Sequence, residues 1–290
     1  MYASPFEYHA PATVAEAVAL LEKFGDDGKL VSGGQSLVPM MKLRLSQLKH
    51  LVDLRKVPGL TSITEAGGNL VVGGMATHHA VSVSDLVKSK LPMMAEAAGN
   101  IGDMQVRNLG TIGGSVAHAD PSADWPAVLT ALDASVQIAS VSGERSVKIG
   151  DFILGPLTTV LQPAEILTQV RVPLPQGRYG GAYEKLPHPA SRFAVVGVAV
   201  EIFLDAGGAV QSSRIAITGL GPKVSRATSV EQALQGKKPE AAALKAAAAR
   251  AADGFEIRDD LIGSAAYKAN LAAVIAERAL ARAAARAAAR

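Results

Sequence analysis

Two glycine-rich segments carry the residue types best suited to holding an anionic ligand. The first is Val31-Ser32-Gly33-Gly34-Gln35-Ser36-Leu37, where an apolar run ends in paired glycines and small polar residues. Successive backbone N–H groups in such a turn can converge on one anion, and the missing side chains let phosphate oxygens approach closely. Ser36 adds a hydroxyl donor. The second is Asn108-Leu109-Gly110-Thr111-Ile112-Gly113-Gly114-Ser115, with Thr111 and Ser115 bracketing a Gly-Gly pair. It reads the same way, as a source of backbone donors and two hydroxyls. Either segment alone is also what an ordinary tight turn looks like. Neither fits the GxGxxG dinucleotide fingerprint or the GxxxxGK[ST] phosphate loop, so a Rossmann nucleotide site is not supported. The turns lie about 80 residues apart. Together they could clamp one diphosphate, but the sequence does not say whether they meet.

Other polar groups invite weaker readings. His78-His79 are adjacent rather than i, i+4, and neither this pair nor His118 with Asp120 has a further ligand at a recognised metal spacing, so no metal centre is expected. His118 and Asp120 follow the second glycine turn and are expected beside its ligand. His188, between Pro187 and Pro189, is expected in an exposed loop. Arg278, Arg282, Arg286 and Arg290 recur every four residues in an alanine-rich stretch. This stripe reads first as a solvated helix face, with contact to a neighbouring subunit or to nucleic acid as the functional alternatives.

The elements that must position these residues follow from periodicity. Thr13-Val14-Ala15-Glu16 is a capping box, and the apolar spacing after it predicts a helix over 13–24. Short strands are expected over 29–31, 51–54 and 70–72, and helices over 91–98 and 124–132, the latter with Pro126 in its first turn. The stretch 100–118 is poor as either helix or strand. Strands are then expected over 136–139, 145–149 and 166–172. A stiff polar break follows at 172–177, the predicted boundary between residues 1–175 and 176–290. Beyond it, 193–204 and 213–220 flank Asp205-Ala206-Gly207-Gly208 as a hairpin. Helices are expected over 229–234, 239–252 and from Tyr267 onward. The class is α+β.

Composition narrows the function classes. The chain has 290 residues, 49% of them hydrophobic, enough for two domains or one large one. Its formal charge is +3, and the last twenty residues carry four arginines against one glutamate, so the body is nearly balanced and no dedicated nucleic-acid surface is expected. There is no cysteine, which excludes disulfides, thiolate zinc and iron–sulfur ligation by this chain. Residues 1–8 have neither a basic n-region nor an apolar h-region, and no run reaches the roughly 20 apolar residues of a membrane span. A cytoplasmic protein is expected.

Ser32-Gly33-Gly34-Gln35-Ser36, then Pro39-Met40-Met41-Lys42 and Leu51-Val52-Asp53-Leu54-Arg55, resemble the flavoprotein subunits of aerobic carbon monoxide dehydrogenases, within the molybdenum hydroxylases. So do the segment from Gln105 to Ser115, Asp120-Pro121-Ser122-Ala123-Asp124, and Tyr183-Glu184-Lys185-Leu186. The resemblance implies a vanillyl-alcohol-oxidase-like (PCMH-type) FAD-binding domain of two subdomains, then a C-terminal domain of antiparallel sheet and helices. The family's first FAD motif falls on Ser32, Gly33, Gly34, Gln35 and Ser36, flanked by Leu30, Val31 and Leu37. Its second falls on Gly110, Thr111, Ile112, Gly113, Gly114 and Ser115. Further contacts fall on Ile101, Asp124, Leu167, Lys185 near the isoalloxazine edge, and Phe193. Without the resemblance, Lys185 reads equally as a solvated strand lysine, and Asp124 as a carboxylate at a helix start. Phe193 stands where that group carries tyrosine, and Ser115 where asparagine is common, which leaves the substrate open among carbon monoxide, aldehydes, purines and other N-heterocycles.

The function implied is an oxidoreductase subunit that carries FAD and passes electrons from the [2Fe–2S] clusters of a small subunit to an acceptor such as quinone. A large molybdopterin subunit performs the hydroxylation, and the assembly expected is a dimer of heterotrimers, cytoplasmic or at the inner face of the cytoplasmic membrane. The alternatives are a stand-alone FAD oxidoreductase of the same fold and a non-enzymatic scaffold or nucleic-acid adaptor led by the arginine tail.

Overall fold

The computed structural model describes residues 2–290 as a mixture of helix and sheet, in agreement with the expected class. The N-terminal lobe holds β1 (Glu7–His9), α1 (Val14–Phe24), β2 (Gly28–Val31), α2 (Leu37–Lys42) and β3 (His50–Asp53). Its three strands pair in parallel in the order β1-β3-β2. Thr13 caps α1 as the sequence predicts, with Glu16 N–H donating to Thr13 Oγ1 at 3.1 Å, while the Glu16 carboxylate reaches one residue beyond the cap and accepts from Ala12 N–H at 2.7 Å. Ala17, Val18 and Leu21 on its inner face pack on Val52 and Leu54. That packing fixes where β2 ends, and β2 runs directly into the first glycine turn.

The second lobe is a five-stranded antiparallel sheet with helices inserted into it. Its hairpin, β4 (Ile63–Ala66) and β5 (Asn69–Gly73), leads into α3 (His78–Val83), α4 (Asp85–Lys90), α5 (Pro92–Asn100), α6 (Met104–Leu109), α7 (Ile112–His118) and α8 (Asp124–Ala131). The chain then returns as β6 (Ser135–Ser140), β7 (Gly143–Lys148), α9 (Ile149–Phe152), the small ladder of β8 (Ile153–Gly155) and β9 (Thr158–Thr159), and β10 (Ile166–Pro173). The sheet order is β4-β5-β10-β6-β7, with β10 central. The irregular stretch expected over 100–118 is instead two short helices, α6 and α7. Each is started by a side-chain cap, Asp103 and Thr111, that a periodicity reading does not weigh.

The last part contains β11 (Arg178–Pro187), β12 (Ala194–Leu204), β13 (Val210–Thr218) and β14 (Ser225–Arg226), antiparallel in that order, followed by α10 (Thr228–Leu234), α11 (Ala241–Ala248) and α12 (Ala265–Ala288). The expected hairpin around Asp205 is present as β12 and β13. Strand β11 has no counterpart among the expected elements, which pass from the break at 172–177 directly to the strand at 193–204. In the structure, a Cβ on Gly180 would collide with the Ala283 carbonyl of α12, so the bare backbone lets the helix lie directly on the strand. Alanines 272, 276, 279, 283 and 287 form the buried face of α12. No helix among the described residues is long and apolar enough to cross a membrane.

The arginine stripe departs from the expected solvated face. Arg286 donates to the Gly181 carbonyl at 2.6 Å and pairs with Glu96 of α5, while Arg282 pairs with both Glu96 and Glu184. Arg290 lies over the Tyr179 ring, 5.1 Å from its centroid. Arg278 alone of the four has none of these contacts and is exposed. The alanine face brings these arginines against the second lobe, and the largest apolar cluster runs continuously from β5 and α8 to Tyr179, Tyr183 and Ala199. Replacing Glu96 by alanine leaves two cations without their shared acceptor. The expected loss is about 1–2 kcal/mol of stability, measured by denaturant unfolding, with faster amide exchange in α12.

Candidate functional site

The two glycine turns meet. The Ser32 and Thr111 hydroxyls lie 2.6 Å apart although 79 positions separate them in the chain. Ser32 Oγ–H donates to Met75 Sδ at 2.8 Å, and Thr111 Oγ1 accepts from Gly114 N–H at 3.1 Å, so Thr111 is the donor in the pair between them. Glycine makes the approach possible. A Cβ on Gly33 would collide with the Leu109 carbonyl and lie 2.7 Å from Gly110 Cα, and one on Gly113 would lie 2.6–3.0 Å from the Gly74 backbone.

The turns differ in what they offer. Among the described residues, the N–H groups of Gly33, Gly34, Gln35, Ser36 and Leu37 find no acceptor in the chain. Those of the second turn are engaged apart from that of Thr111: Gly110 with Val106 O, Ile112 with Ala76 O, Gly113 with Gly74 O, Gly114 with Thr111 Oγ1, and Ser115 with Thr111 O. The expectation of backbone donors in the second turn is therefore corrected. Its amides dock it on the end of β5, and its share of the site is a bare surface and the Ser115 hydroxyl. Five unsatisfied donors in one turn are what an anion requires.

These turns line one cavity of about 850 Å³, within the range of roughly 300–1,000 Å³ usual for small-molecule sites. Of the expected site residues, all but Val31, Ile112 and Lys185 line it. Val31 alternates inward along β2 onto Met41, Leu48 and Leu51, and Ile112 is fully buried in the main core. Lys185 stands behind the wall, with its Nζ 2.8 Å from Asp124 Oδ1 and donating to the Arg192 carbonyl at 2.9 Å. Tyr183 OH donates to the same carboxylate at 2.6 Å. Burial pushes the Asp124 carboxyl up, against the opposing Lys185 charge and the hydrogen bonds from Lys185 and Tyr183. With this partner, Lys185 does not present a free positive charge to the cavity.

The opposite wall comes from the β11–β12 loop. Arg192 sits at φ 60° and donates through Nε to the Gly102 carbonyl at 2.9 Å, which sets the neighbouring Phe193 on the cavity wall at 40% exposure. His188 Nδ1 accepts the Ala190 and Ser191 N–H groups at 3.3 and 3.2 Å, so this half-buried side chain shapes the loop rather than being simply exposed. Sequence reasoning missed the lining residues Leu157, Thr158, Thr159, Leu161 and Gln162, in and around the two-residue strand β9, and Arg192 in its loop, because segments this short carry no periodic signal. His118 and Asp120 do line the cavity, as expected from their place after the second turn.

His78 also lines it, and its chemistry is fixed from behind. Trp125 Nε1–H donates to His78 Nδ1 at 3.0 Å, which places the ring proton on Nε2, and that N–H has no acceptor in the chain among the described residues. Burial, with the Arg107 charge adding to it, holds the imidazole down at about 4. The lining thus joins free amides, two unpaired hydroxyls (Ser36 and Ser115) and a neutral imidazole to apolar contacts such as Ile101 and Leu167. No cation stands in the first turn, so a diphosphate would be held there by backbone dipoles rather than by lysine or arginine.

Residues 4–175 match the family described as the FAD binding domain in molybdopterin dehydrogenase, and residues 181–283 match the carbon monoxide dehydrogenase flavoprotein C-terminal domain. The carbon monoxide dehydrogenase medium chain of Hydrogenophaga pseudoflava is 42% identical, over 95% of this chain and 96% of its own length. The glyceraldehyde dehydrogenase medium chain of Sulfolobus acidocaldarius is 37% identical, over 95% of this chain and 97% of its own. A solved structure of the Hydrogenophaga pseudoflava carbon monoxide dehydrogenase lacking the Mo-pyranopterin moiety superposes with a TM-score of 0.94, at 43% identity and 99% coverage of both chains.

Two outcomes test this site. Gly33→Ala is expected to lower FAD affinity at least tenfold, about 1.4 kcal/mol, with unchanged far-ultraviolet circular dichroism. The control Gly150→Ala, where a Cβ meets nothing within 4 Å, should keep full flavin content. For His78 the folded-state value lies below the unfolded one of 6.5, so its neutral form supports the fold fully above that pH and the support is lost as pH falls through about 4. The stability difference between the native chain and His78→Gln should be flat above about pH 6.5 and shrink below it by up to ~1.4 kcal/mol per pH unit. A difference that stays flat down to pH 4 would count against a neutral His78.

Proposed function

The chain belongs to the FAD-binding family of the molybdopterin dehydrogenases, and on that premise we propose that it serves as the medium, electron-transferring subunit of a carbon monoxide dehydrogenase. It is an oxidoreductase component that binds FAD. The observation that carries the reading is the pair of glycine turns locked together on one cavity wall, with five free amides in the first of them.

The residues present fit FAD. The N–H groups of Gly33 to Leu37 would hold the diphosphate, helped by the hydroxyls of Ser36 and Ser115. Gly113 and Gly114 give the second turn a surface without side chains, and Ile101, Leu167 and Phe193 supply apolar contacts. His78 adds a neutral hydrogen-bond donor whose tautomer Trp125 fixes. Asp124 is the cavity-side member of a buried ion pair, with Lys185 anchoring it from behind. Bound FAD accepts electrons singly and releases them in pairs, the property needed between one-electron clusters and a two-electron acceptor. The chain contains no cysteine, so thiolate-held clusters belong to another subunit.

The wider assembly is proposed as a dimer of heterotrimers with a large molybdopterin subunit and a small [2Fe–2S] subunit. It would deliver electrons to a quinone in the cytoplasm or at the inner face of its membrane. Carbon monoxide is favoured as the substrate by the identity and whole-length match to the carbon monoxide dehydrogenase medium chain. The glyceraldehyde dehydrogenase relative supports an aldehyde as the second reading. In the test, the chain is purified alone with FAD and also within its co-expressed heterotrimer. The isolated chain should show flavin bands and turn over neither carbon monoxide nor aldehydes, while the heterotrimer reduces a quinone analogue with carbon monoxide. Turnover by the isolated chain would overturn the subunit reading, and a heterotrimer oxidising only aldehydes would overturn the substrate.

A further inference from the structure

Three side chains outside the FAD cavity meet on the N-terminal sheet. In the parallel ladder of β1 and β3, Glu7 lies opposite His50, and His9, two residues on, shares the face of Glu7. His9 Nε2 is 3.2 Å from His50 Nδ1. Glu7 Oε2 is 3.4 Å from His50 Nδ1 and 3.9 Å from His9 Nε2. None of the three lines the cavity described above.

These separations are close to the edges of a metal tetrahedron. Zinc bonds of ~2.0–2.2 Å to imidazole nitrogen and carboxylate oxygen put neighbouring ligand atoms roughly 3.3–3.6 Å apart. Phe24, at the end of α1, holds the imidazoles in place: its ring stacks on His50 at 3.8 Å and 10°, and its centroid lies 4.7 Å from that of His9. The His9 and His50 side chains are 25% and 21% exposed, whereas Glu7 is 75% exposed, which leaves room for a water to complete the coordination. Two ring nitrogens facing each other at 3.2 Å need a proton between them or a cation in its place. A mixed imidazole and carboxylate set suits zinc over magnesium or calcium.

We propose that Glu7, His9 and His50 form a binding site for a zinc-class divalent cation, with water as the fourth ligand. The ion would clip the edge strand β1 to β3, the neighbour of β2, and so brace the strand that leads into Ser32. The site stands apart from the flavin reading and does not depend on it.

The experiment uses the untagged, FAD-loaded full chain, stripped with chelator and titrated with zinc chloride by calorimetry at neutral pH. One equivalent should bind with a Kd tighter than about 10 µM, and the thermal midpoint should rise with zinc. Binding should weaken at least tenfold toward pH 5.5, because protons compete for the imidazoles. His9→Ala and His50→Ala should each abolish the zinc-dependent rise while keeping full flavin content, which reports that they are folded. Glu7→Gln should weaken binding at least tenfold. Anomalous scattering at the zinc edge, in crystals grown with zinc, should place one ion between the three side chains. Absence of saturable binding would overturn the proposal, as would undiminished binding in either histidine variant or an ion located elsewhere.

Discussion

The rest of the site depends on a close approach between two backbones. Gly33 and the Leu109–Gly110 backbone are near enough that a single methyl at position 33 would have nowhere to go. The hydroxyl pair of Ser32 and Thr111, at 2.6 Å, closes the contact and continues through Met75. That contact joins β2 of the first lobe to α7 of the second, and the cavity exists because the two lobes meet there. Serine at position 32 takes part directly, since its hydroxyl passes the hydrogen bond from Thr111 to the thioether.

The division of labour between the turns follows from their local architecture. The second turn opens α7 against β5, so its amides are used by Ala76, Gly74 and Thr111 in positioning the helix. The first turn runs from β2 into the short α2, and its amides remain free for a ligand. One turn is scaffold and the other receptor, although in sequence they look alike. Buried charge behind the wall is handled differently again. Asp124 would be costly to bury alone, but Lys185 and Tyr183 both reach it, so the pair adds little net charge to the cavity.

Much of this was legible in the residues. The Thr13 capping box, the strand leading into Gly33, the helix opened by Asp124 and the hairpin around Asp205 all follow from local rules that the structure obeys. The family resemblance added FAD and the expected site set, most of which lines the cavity. What was not legible has physical reasons. Val31 and Ile112 belong to the motifs by sequence, but the alternation of a strand and the first turn of a helix direct them into the core. Lys185 reads as a charge for the flavin until its carboxylate partner, 61 positions away, is in view. The stretch 100–118 lacks periodicity because side-chain caps, rather than an apolar stripe, start its helices. Strand β11 contains Gly180, bare because α12 lies directly on it, and Gly181, where a Cβ would meet the Tyr179 hydroxyl.

The C-terminal part therefore completes the flavin site rather than merely following it. Its β11–β12 loop sets Phe193 on the cavity wall, and that loop is held by Arg192 on Gly102 and by Lys185 on the Arg192 carbonyl. The same strand β11 is pinned from its other side by Arg286 on Gly181 and Arg282 on Glu184, both tied to Glu96 of the second lobe. The arginine stripe thus acts across the fold: it holds α12 down, α12 holds β11, and β11 carries both Lys185 and Tyr183 to Asp124. A chain without this helix would keep both glycine turns and lose the wall that faces them. In a subunit that relays electrons this matters, because transfer depends on holding the cofactor at a fixed place between two partners. The rigidity of the site then rests as much on an alanine-faced helix at the end of the chain as on the turns that hold the diphosphate.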